Sequence, residues 1–318
     1  MEETTWKNLL KFNGNHGQLV GLRIVNNILT AITLGFYYPW AKVSILKYLY
    51  SETEYMQTRF VFHGLGKEVF KGFLKALLIF GALYGFLLYA ISTHDQSMFY
   101  LGLIVFYVGF FLLIPLAIHG SYRYRLSRTS WRGIHFGYRG NLKEFYKLYL
   151  KNIFLSVITF GIYSSWMHVE VNSYIRRNIR FGNIEFRYDG QGKDLFFIKL
   201  KGLLLSLITF GIYSFWYYKD LIAFEVNNTK MIQNGKEIEL KSTLTAGQIF
   251  SMLITNYFII IFTLGIGTGI AINRVLRVAF ENIAFDSEID PDAILQTEEE
   301  YKDATGDDLA GFLDISII

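Results

Sequence analysis

The chain has 318 residues, of which 52% are hydrophobic and only 18% are charged, against about 25% charged residues in typical soluble domains. With a mean hydropathy of +0.28, this composition excludes a disordered chain and argues against an ordinary soluble enzyme. The absence of cysteine excludes a disulfide framework, a thiolate metal site and a thiol nucleophile. The composition therefore predicts a membrane protein.

Charge is divided unevenly between the body of the chain and its end. Only Lys302 among the 31 lysines and arginines lies after residue 280, whereas 12 of the 27 acidic residues lie there. In an apolar chain, a basic body is more typical of Lys and Arg flanking membrane segments than of nucleic-acid binding. We therefore predict no nucleic-acid partner, and an acidic, flexible tail over 285–318 that is solvated or serves as an interaction tail.

Stretches without Asp, Glu, Lys or Arg mark the candidate membrane segments. The chain starts with an acidic segment that does not have the pattern of a cleavable signal peptide, so we expect the spans themselves to insert. The stretch 96–122 is long enough to cross a hydrocarbon core of about 30 Å, and 76–92 forms a hairpin with it. In chain order the stretches are 24–41, 76–92, 96–122, 152–169, 202–218 and 242–273. They predict a multi-pass membrane protein.

A Thr-x-Gly motif recurs along the chain, three times followed by Tyr and Trp and once without them. Its positions are Thr33, Gly35, Tyr37, Trp40; Thr159, Gly161, Tyr163, Trp166; Thr209, Gly211, Tyr213, Trp216; and Thr263, Gly265. Stretches of alternating aromatic residues and glycines precede these copies, a pattern typical of a short strand and turn. We predict an all-α polytopic membrane protein with about five internal repeats, each a short strand or turn plus a bent or paired transmembrane helix unit. The predicted transmembrane domain, 1–284, comprises units near 10–59, 60–134, 135–184, 185–239 and 240–284.

The path of the chain at each motif has two interpretations. A helix pair bent at the Thr-x-Gly motif keeps the basic clusters before and after each unit on the cytoplasmic side, as the distribution of Lys and Arg in membrane proteins requires. The alternative is one straight helix per motif. In the helix-pair interpretation the first limb, 143–159, is about 25 Å long at 1.5 Å per residue, so it nearly spans the membrane.

The motif and its surroundings resemble a known family. The pattern is a Phe-x-Gly stretch, an asparagine, an aliphatic run, the Thr-x-Gly motif and a basic helix that carries tyrosine. Its residues are Phe12, Gly14, Asn27, Thr33, Gly35, Tyr37, Pro39, Trp40, Lys42, Lys47 and Tyr48, and in the last unit Asn256, Thr263, Gly265, Arg274 and Arg277. This pattern resembles the YjgN-type family of uncharacterised bacterial inner-membrane proteins. The resemblance implies a multi-pass protein of the bacterial inner (cytoplasmic) membrane and brings no activity, ligand or catalytic residue.

Motifs that carry chemistry are missing from the sequence. It has no Walker A loop, no His-Glu-x-x-His and no Gly-x-Ser-x-Gly. Its histidines lack the spacing of metal ligands, and His168 and Glu170 lie on divergent faces of a helix. We therefore predict that the protein is not an enzyme and that it has no catalytic, cofactor-binding or metal-binding residue.

Five polar residues stand out in the second limbs of units three and four: His168, Glu170, Asn172, Glu225 and Asn228. Near an apolar bundle such groups must pair with a base such as Arg176 or Lys219, be hydrated, or line a path. A transporter or channel predicts a hydrated cavity that converges on these residues. The alternative is a scaffold with a dry bundle, whose basic cytoplasmic face or acidic tail binds proteins or anionic lipid. In either case the lipid bilayer is a partner; the sequence does not indicate an oligomeric state.

Overall fold

The computed structural model describes residues 5–298. Over these residues the order strand, helix, helix, strand occurs five times. The first two units are β1 (Leu10–Phe12), α1 (His16–Ile32), α2 (Tyr38–Glu52), β2 (Thr53–Tyr55), and β3 (Thr58–Phe62), α3 (Gly66–Ser92), α4 (Gln96–Ser127), β4 (Thr129–Trp131). The third and fourth are β5 (Ile134–Tyr138), α5 (Leu142–Ile158), α6 (Ser164–Arg177), β6 (Ile179–Phe181), and β7 (Ile184–Tyr188), α7 (Gly192–Ile208), α8 (Ser214–Asn227), β8 (Thr229–Gln233). The fifth is β9 (Lys236–Ser242), α9 (Ala246–Phe262), α10 (Thr268–Glu281), β10 (Ile283–Phe285).

The predicted all-α polytopic fold is wrong. The described residues are 63% helix but also 15% strand, and their ten strands form one antiparallel sheet. Within the described residues, α3 and α4 are the two helices that are long and apolar enough to be clear membrane spans. The alternating aromatic stretches do form strands. Strands β2 to β9, however, also pair with a strand of the neighbouring unit, which the pattern inside one unit does not indicate.

The sheet closes on itself. Its strands follow the order of the chain, so neighbouring strands are consecutive in sequence, and every neighbouring pair is antiparallel. Two-residue turns join successive units, and in the turns Arg132–Gly133 and Asn234–Gly235 both residues have positive φ, as type I′ hairpins require. At the open edges, Lys7 and Phe285 form an antiparallel bridge with both N–H···O distances at 2.9 Å. We call the closed sheet the strand ring.

The helices form a second ring on top of the strand ring. Each helix packs against the helices before and after it in the chain, and α10 packs against α1. The second helix of a unit also packs on the first strand of the next unit, as α2 does on β3 and α10 does on β1. The contacts between units are therefore of the same kind all the way around, and the two rings share one axis.

The chain reverses direction at each Thr-x-Gly motif. In unit three the N–H groups of Phe160, Gly161 and Ile162 donate to backbone carbonyls at the end of α5 and in the turn. The N–H group of Tyr163 donates to the Thr159 hydroxyl at 3.0 Å. The Thr159 hydroxyl in turn donates to the Leu155 carbonyl at 2.8 Å. Equivalent bonds occur at Thr33, Thr209 and Thr263. The chain thus follows the helix-pair interpretation and not the straight-helix alternative, and each of these N–H groups is bonded without help from water.

The outer face of the helix ring is apolar. The turns expose large side chains at their tips, with Leu34 89%, Phe160 98% and Phe210 97% exposed. Helices α1, α5, α7 and α9 each have 17 residues, or about 25 Å at 1.5 Å per residue. Helices α3 and α4, with 27 and 32 residues, exceed the roughly 20 residues that a crossing needs. An exposed apolar surface of this extent is typical of contact with lipid.

The first part of the acidic tail differs from the predicted flexible segment. After β10 the chain crosses the mouth of the strand ring, and Ile289 and Ile294 join the core inside it. Gln233 exchanges two hydrogen bonds of 2.8 Å with the backbone of Asp290. Residues 286–298 are fixed because they complete this core. The rest of the predicted tail, 299–318, lies outside the described residues.

Candidate functional site: the axial cavity and the polar residues around it

The polar residues predicted in units three and four divide into separate groups. Glu170 accepts a hydrogen bond of 2.8 Å from Asn152 Nδ2 and one of 3.1 Å from the Tyr163 hydroxyl. Its carboxylate also lies 3.6 Å from Lys151 Nζ. All these partners belong to the same helix pair, so Glu170 connects the two limbs of its own unit.

Glu225 forms the other group, between units three and four. Its carboxylate lies 2.6 Å from His168 Nε2 and 2.8 Å from Arg176 NH2, and it accepts a bond of 3.0 Å from the Tyr188 hydroxyl. Burial raises the pKa of Tyr188, so this hydroxyl stays a neutral donor. The Arg176 guanidinium also stacks over the Tyr188 ring at 4.2 Å. The cluster connects α6, α8 and β7 across a unit boundary.

The two predicted asparagines bond their own helices. Asn172 Nδ2 donates to the His168 carbonyl at 2.9 Å, and Asn228 Nδ2 donates to the Phe224 carbonyl at 2.7 Å. In the described part of the chain, no group of three or more His, Cys, Asp or Glu side chains is arranged to hold a metal ion. The five predicted residues therefore do not converge on one site: three of them serve contacts within helices or units, and His168 and Glu225 meet at a boundary.

A buried asparagine on the first helix joins the limbs in three units. Asn26 and Asn256 donate to the carbonyls of Ala41 and Ala271 at 3.4 Å, and Asn152 reaches Glu170. In unit one the predicted residue was Asn27, but Asn27 is exposed and its neighbour Asn26 is buried. Two adjacent asparagines make this choice ambiguous from sequence, since only the helix packing shows which of them faces the partner limb.

The tyrosine and tryptophan of the motif stack on each other. The ring centroids of Tyr163 and Trp166 are 5.9 Å apart, and those of Tyr213 and Trp216 are 6.0 Å apart. A Cβ on Gly192 would lie 2.4 Å from Trp166 Cδ1, so this indole packs against the start of the next unit. Trp216 is 47% exposed, and exposed tryptophans of membrane proteins are enriched at the membrane–water interface.

Inside the strand ring, two layers of five apolar side chains face each other. They are five equivalent cross-strand pairs, one in each unit: Leu10–Tyr55, Phe60–Trp131, Phe136–Phe181, Phe186–Met231 and Leu240–Phe285. We call the first members, from the first strand of each unit, the upper layer, and the second members the lower layer. All ten side chains, with Ile289, surround a cavity of 210 Å³. The strand ring is therefore closed by its own side chains and by residues after β10.

A larger cavity of 430 Å³ lies between the upper layer and the helix ring. We call it the axial cavity. The helices contribute Leu46, Leu49, Tyr50, Arg125, Leu126, Leu276 and Phe280 to its lining, and the strands contribute Leu10, Thr53, Phe60, Thr129 and Phe136. Leu10, Phe60 and Phe136 line both cavities and so form the floor between them. These residues were not predicted from the sequence, although a Phe-x-Phe/Tyr-x-Gly spacing marks Phe60 and Phe136.

The outer face of the strand ring carries ion pairs. Arg187 lies 2.8 Å from both Asp189 and Glu237, and Lys230 lies 3.0 Å from Glu239. The hydrogen bond from Arg187 holds the pKa of Asp189 below its usual range. These paired, exposed charges indicate that the outer face of the strand ring lies in water, whereas the helix tips are apolar.

A closed ring of helix pairs with an apolar outer face, standing on a charged strand ring, defines an integral membrane protein. The chain matches the profile of the family described as "Bacterial protein of unknown function (DUF898)" over residues 7–190, 183–234 and 217–312, and it belongs to that family.

Among curated proteins, the chain is similar to "Inner membrane protein YjgN" of Salmonella typhimurium (strain LT2), with 27% identity over 135 residues. It is 31% identical over 135 residues to the protein of the same name from Escherichia coli K12. Each match covers 42% of this chain and 32% of the relative, so the matched segment spans about a third of those proteins. No solved structure matches the chain. The resemblance to YjgN is thus confirmed, and it supports a place in the bacterial inner membrane.

Proposed function

We propose that this protein moves a solute through the inner membrane along the axis of the helix ring, and that the strand ring closes this path on the cytoplasmic side. The observation that carries the proposal is the axial cavity, because it lies between the helix ring and the strand ring and its floor is formed by Leu10, Phe60 and Phe136. Hydrophobic constrictions of this kind close pores by excluding water.

The orientation in this proposal follows from charge. Lysines and arginines of membrane proteins concentrate on the cytoplasmic side. In this chain the tips of the helix pairs have none, over residues 28–41, 84–102, 153–168, 203–218 and 253–272. All five helix pairs then enter the membrane from the cytoplasm. The pair α3–α4 crosses it, and the four shorter pairs reach into it with their apolar tips.

The scaffold alternative is favoured by one observation. Glu170 and Glu225 both have bonded partners, as expected of a structural bundle, and neither lines the axial cavity. The two functions differ in what happens when the floor is made polar. In a transporter or channel this opens a path for ions, whereas a scaffold has no path to open. The proposal involves no catalytic step.

The test is the electrical conductance of the purified protein in planar bilayers bathed in KCl. Phe136→Ser makes the floor polar, and Leu10→Ser does so from another unit. Phe197→Ser, on an exposed position of α7, is the matched control. We expect discrete conductance from the two layer variants and none above background from the wild type or the control.

The variants are used only if their melting temperatures show that they are folded. If Phe136→Ser destroys the fold, Leu10→Ser decides the outcome. Folded layer variants that conduct no more than an empty bilayer would overturn the transport proposal in favour of the scaffold.

A further inference from the structure

We infer that the boundary between units five and one holds the phosphate group of an anionic phospholipid at the base of the helix ring. We call this boundary, formed by α10, α1 and the loop 13–15 before α1, the closing seam. The inference concerns the closing seam alone and does not depend on the proposed transport.

Positive charge gathers at the closing seam. Arg274 and Arg277 of α10 lie close enough to His16, the first residue of α1, for their charges to act on it. Arg277 NH2 also donates to the Gly14 carbonyl at 3.2 Å, which fixes this side chain across the seam. Within residues 5–298 neither arginine forms an ion pair. Like charges held together in this way repel each other, so an anion bound between them is stabilising.

Several buried nitrogen atoms at the closing seam have no hydrogen-bond partner. They are Nε of Arg274, Nδ1 of His16 and Nε of Arg23. Arg23 follows His16 by about two helical turns and so lies on the same face of α1. Buried polar atoms are normally hydrogen-bonded, and a phosphate group, whose oxygens accept several hydrogen bonds from arginine, provides the partners.

A buried amide lies at the inner end of the closing seam. Asn273 of α10 is 0% exposed, and neither its Oδ1 nor its Nδ2 atom has a hydrogen-bond partner. A Cβ on Gly14 would lie 2.8 Å from Asn273 Oδ1, so the amide faces the loop before α1. The Tyr48 hydroxyl lies near Asn273 but donates to the Asn15 carbonyl at 2.8 Å. The polar character of the closing seam therefore extends into the packed part of the helix ring.

The boundary between units three and four shows what the closing seam lacks. There Arg176 is paired across the boundary with Glu225 at 2.8 Å. Near the closing seam the carboxylate of Glu52 lies 3.6 Å from Arg59, so it is paired elsewhere. An external anion supplies the counter-charge that Glu225 supplies at the other boundary.

The surface next to the closing seam favours a lipid as the source of this anion. Ile24, Val25 and Ile28, about two to three turns further along α1, are exposed apolar residues, and Gly17 and Gln18 leave the seam open at its base. Basic pockets between helices on the cytoplasmic side of a membrane bind phospholipid head groups in this arrangement. The acyl chains lie along the apolar residues, from which a free phosphate ion would gain nothing. A choline head group would bring a cation towards the arginines, so phosphatidylglycerol fits better than phosphatidylcholine.

The experiment measures phospholipid binding by native mass spectrometry of the purified protein, after co-purified lipid has been exchanged for detergent. We expect the first phosphatidylglycerol to bind the wild type at least fivefold more tightly than phosphatidylcholine. Arg274→Gln and Arg23→Gln should each weaken phosphatidylglycerol binding at least fivefold. Lys193→Gln, which removes an exposed charge at the start of α7, is the matched control and should bind like the wild type. Equal losses in Arg274→Gln and Lys193→Gln would show general attraction to a basic surface and overturn the inference.

Melting temperatures separate lipid binding from a structural role of the arginine. In micelles without anionic lipid, Arg274→Gln should melt no lower than the wild type, because it removes repulsion and breaks no ion pair. Phosphatidylglycerol should then raise the melting temperature of the wild type but not that of Arg274→Gln. A lower melting temperature of Arg274→Gln without lipid, together with an unchanged response to phosphatidylglycerol, would overturn the inference. If Arg274→Gln does not fold, Arg23→Gln decides the outcome.

Inorganic phosphate distinguishes a lipid from a free anion. We expect potassium phosphate to displace phosphatidylglycerol no better than potassium chloride of the same ionic strength. Displacement of phosphatidylglycerol by phosphate alone, with the same rise in the melting temperature of the wild type, would show that the occupant is a free anion and overturn the phospholipid inference.

Discussion

Lys7 and Phe285, separated by nearly the whole described chain, exchange both of their backbone hydrogen bonds at 2.9 Å. This bridge joins the segment just before β1 to the end of β10 and turns an open sheet into the strand ring. It covers the edge of β10 at Phe285, and unpaired edges are sites of aggregation. Unit five can therefore contact unit one in the same way as the other units contact each other.

The first prediction concerns this closure. Lys7→Pro removes the backbone donor, whereas Lys7→Ala keeps it. Both variants lose the lysine side chain, so the difference in their stability reports the backbone hydrogen bond alone. We expect Lys7→Pro to lower the free energy of unfolding by about 0.5–1.5 kcal/mol relative to Lys7→Ala, the usual net value of one such bond. Thermal unfolding in detergent micelles measures the difference. Equal stability of the two variants would mean that the ring does not depend on this bridge.

The second prediction concerns the turns at the helix tips. Gly161 has φ +87°, where any other residue is strained by about 1–2 kcal/mol. Gly161→Ala should therefore destabilise the protein. Gly21 lies inside α1 with open space around it, and Gly21→Ala should stabilise by about 0.5–1 kcal/mol because alanine favours helices. Opposite signs in the two unfolding curves are the expected result, and a shift in the same direction for both would contradict it.

The sequence predicts the helix pairs better than the strands because the two depend on different information. A glycine two residues after a threonine, within an apolar run, marks a chain reversal whose bonds are all local, as at Thr159 and Gly161. The pairing of Phe60 with Trp131, or of Lys7 with Phe285, joins distant segments through strands of three to seven residues, and many registers fit such short strands equally well.

The candidate site shows the same division. The requirement that Glu225 be paired follows from its apolar surroundings, and Arg176 is one of the bases that the sequence suggests. The contact with His168, 57 residues away, and the fact that neither carboxylate faces the axial cavity depend on how the units pack. The upper layer follows from the repeat only when the strands are known to form a ring, because only a ring brings Leu10 and Phe136 to one axis.

The third prediction concerns an ion pair at the base of the long hairpin. Glu68 and Arg128 approach to 2.7 Å with side chains only 16% and 10% exposed, and Arg128 Nε makes a second bond of 3.2 Å. Glu68→Gln leaves a poorly hydrated guanidinium without its counter-charge, which typically costs about 3–5 kcal/mol. Glu288→Gln, in the exposed pair with Lys7, should cost about 1 kcal/mol or less. Similar losses for the two variants would contradict this ranking.

The fourth prediction is a pH dependence on the outer face of the strand ring. Because the pKa of Asp189 is lowered by Arg187, its charge stabilises the folded protein at any pH above the unfolded value of about 3.9, and this contribution is lost as the pH falls through the folded pKa. Asp189→Asn should therefore lower the melting temperature at pH 7, and its difference from the wild type should shrink as the pH approaches 3. A difference that grows on acidification would contradict the sign of this shift.

The central claim is that five helix pairs enter the membrane from a strand ring on the cytoplasmic side, and the accessibility of single cysteines in this cysteine-free chain tests it most directly. Lys236→Cys places a thiol at the exposed start of β9, beside the turn between units four and five. Gln96→Cys places one beside the loop between the two long helices. Cells are treated with a membrane-impermeant thiol reagent before and after permeabilisation of the inner membrane. We expect Gln96→Cys to react in intact cells and Lys236→Cys to react only after permeabilisation. Reaction of Lys236→Cys in intact cells would place the strand ring outside the cytoplasm and contradict the account.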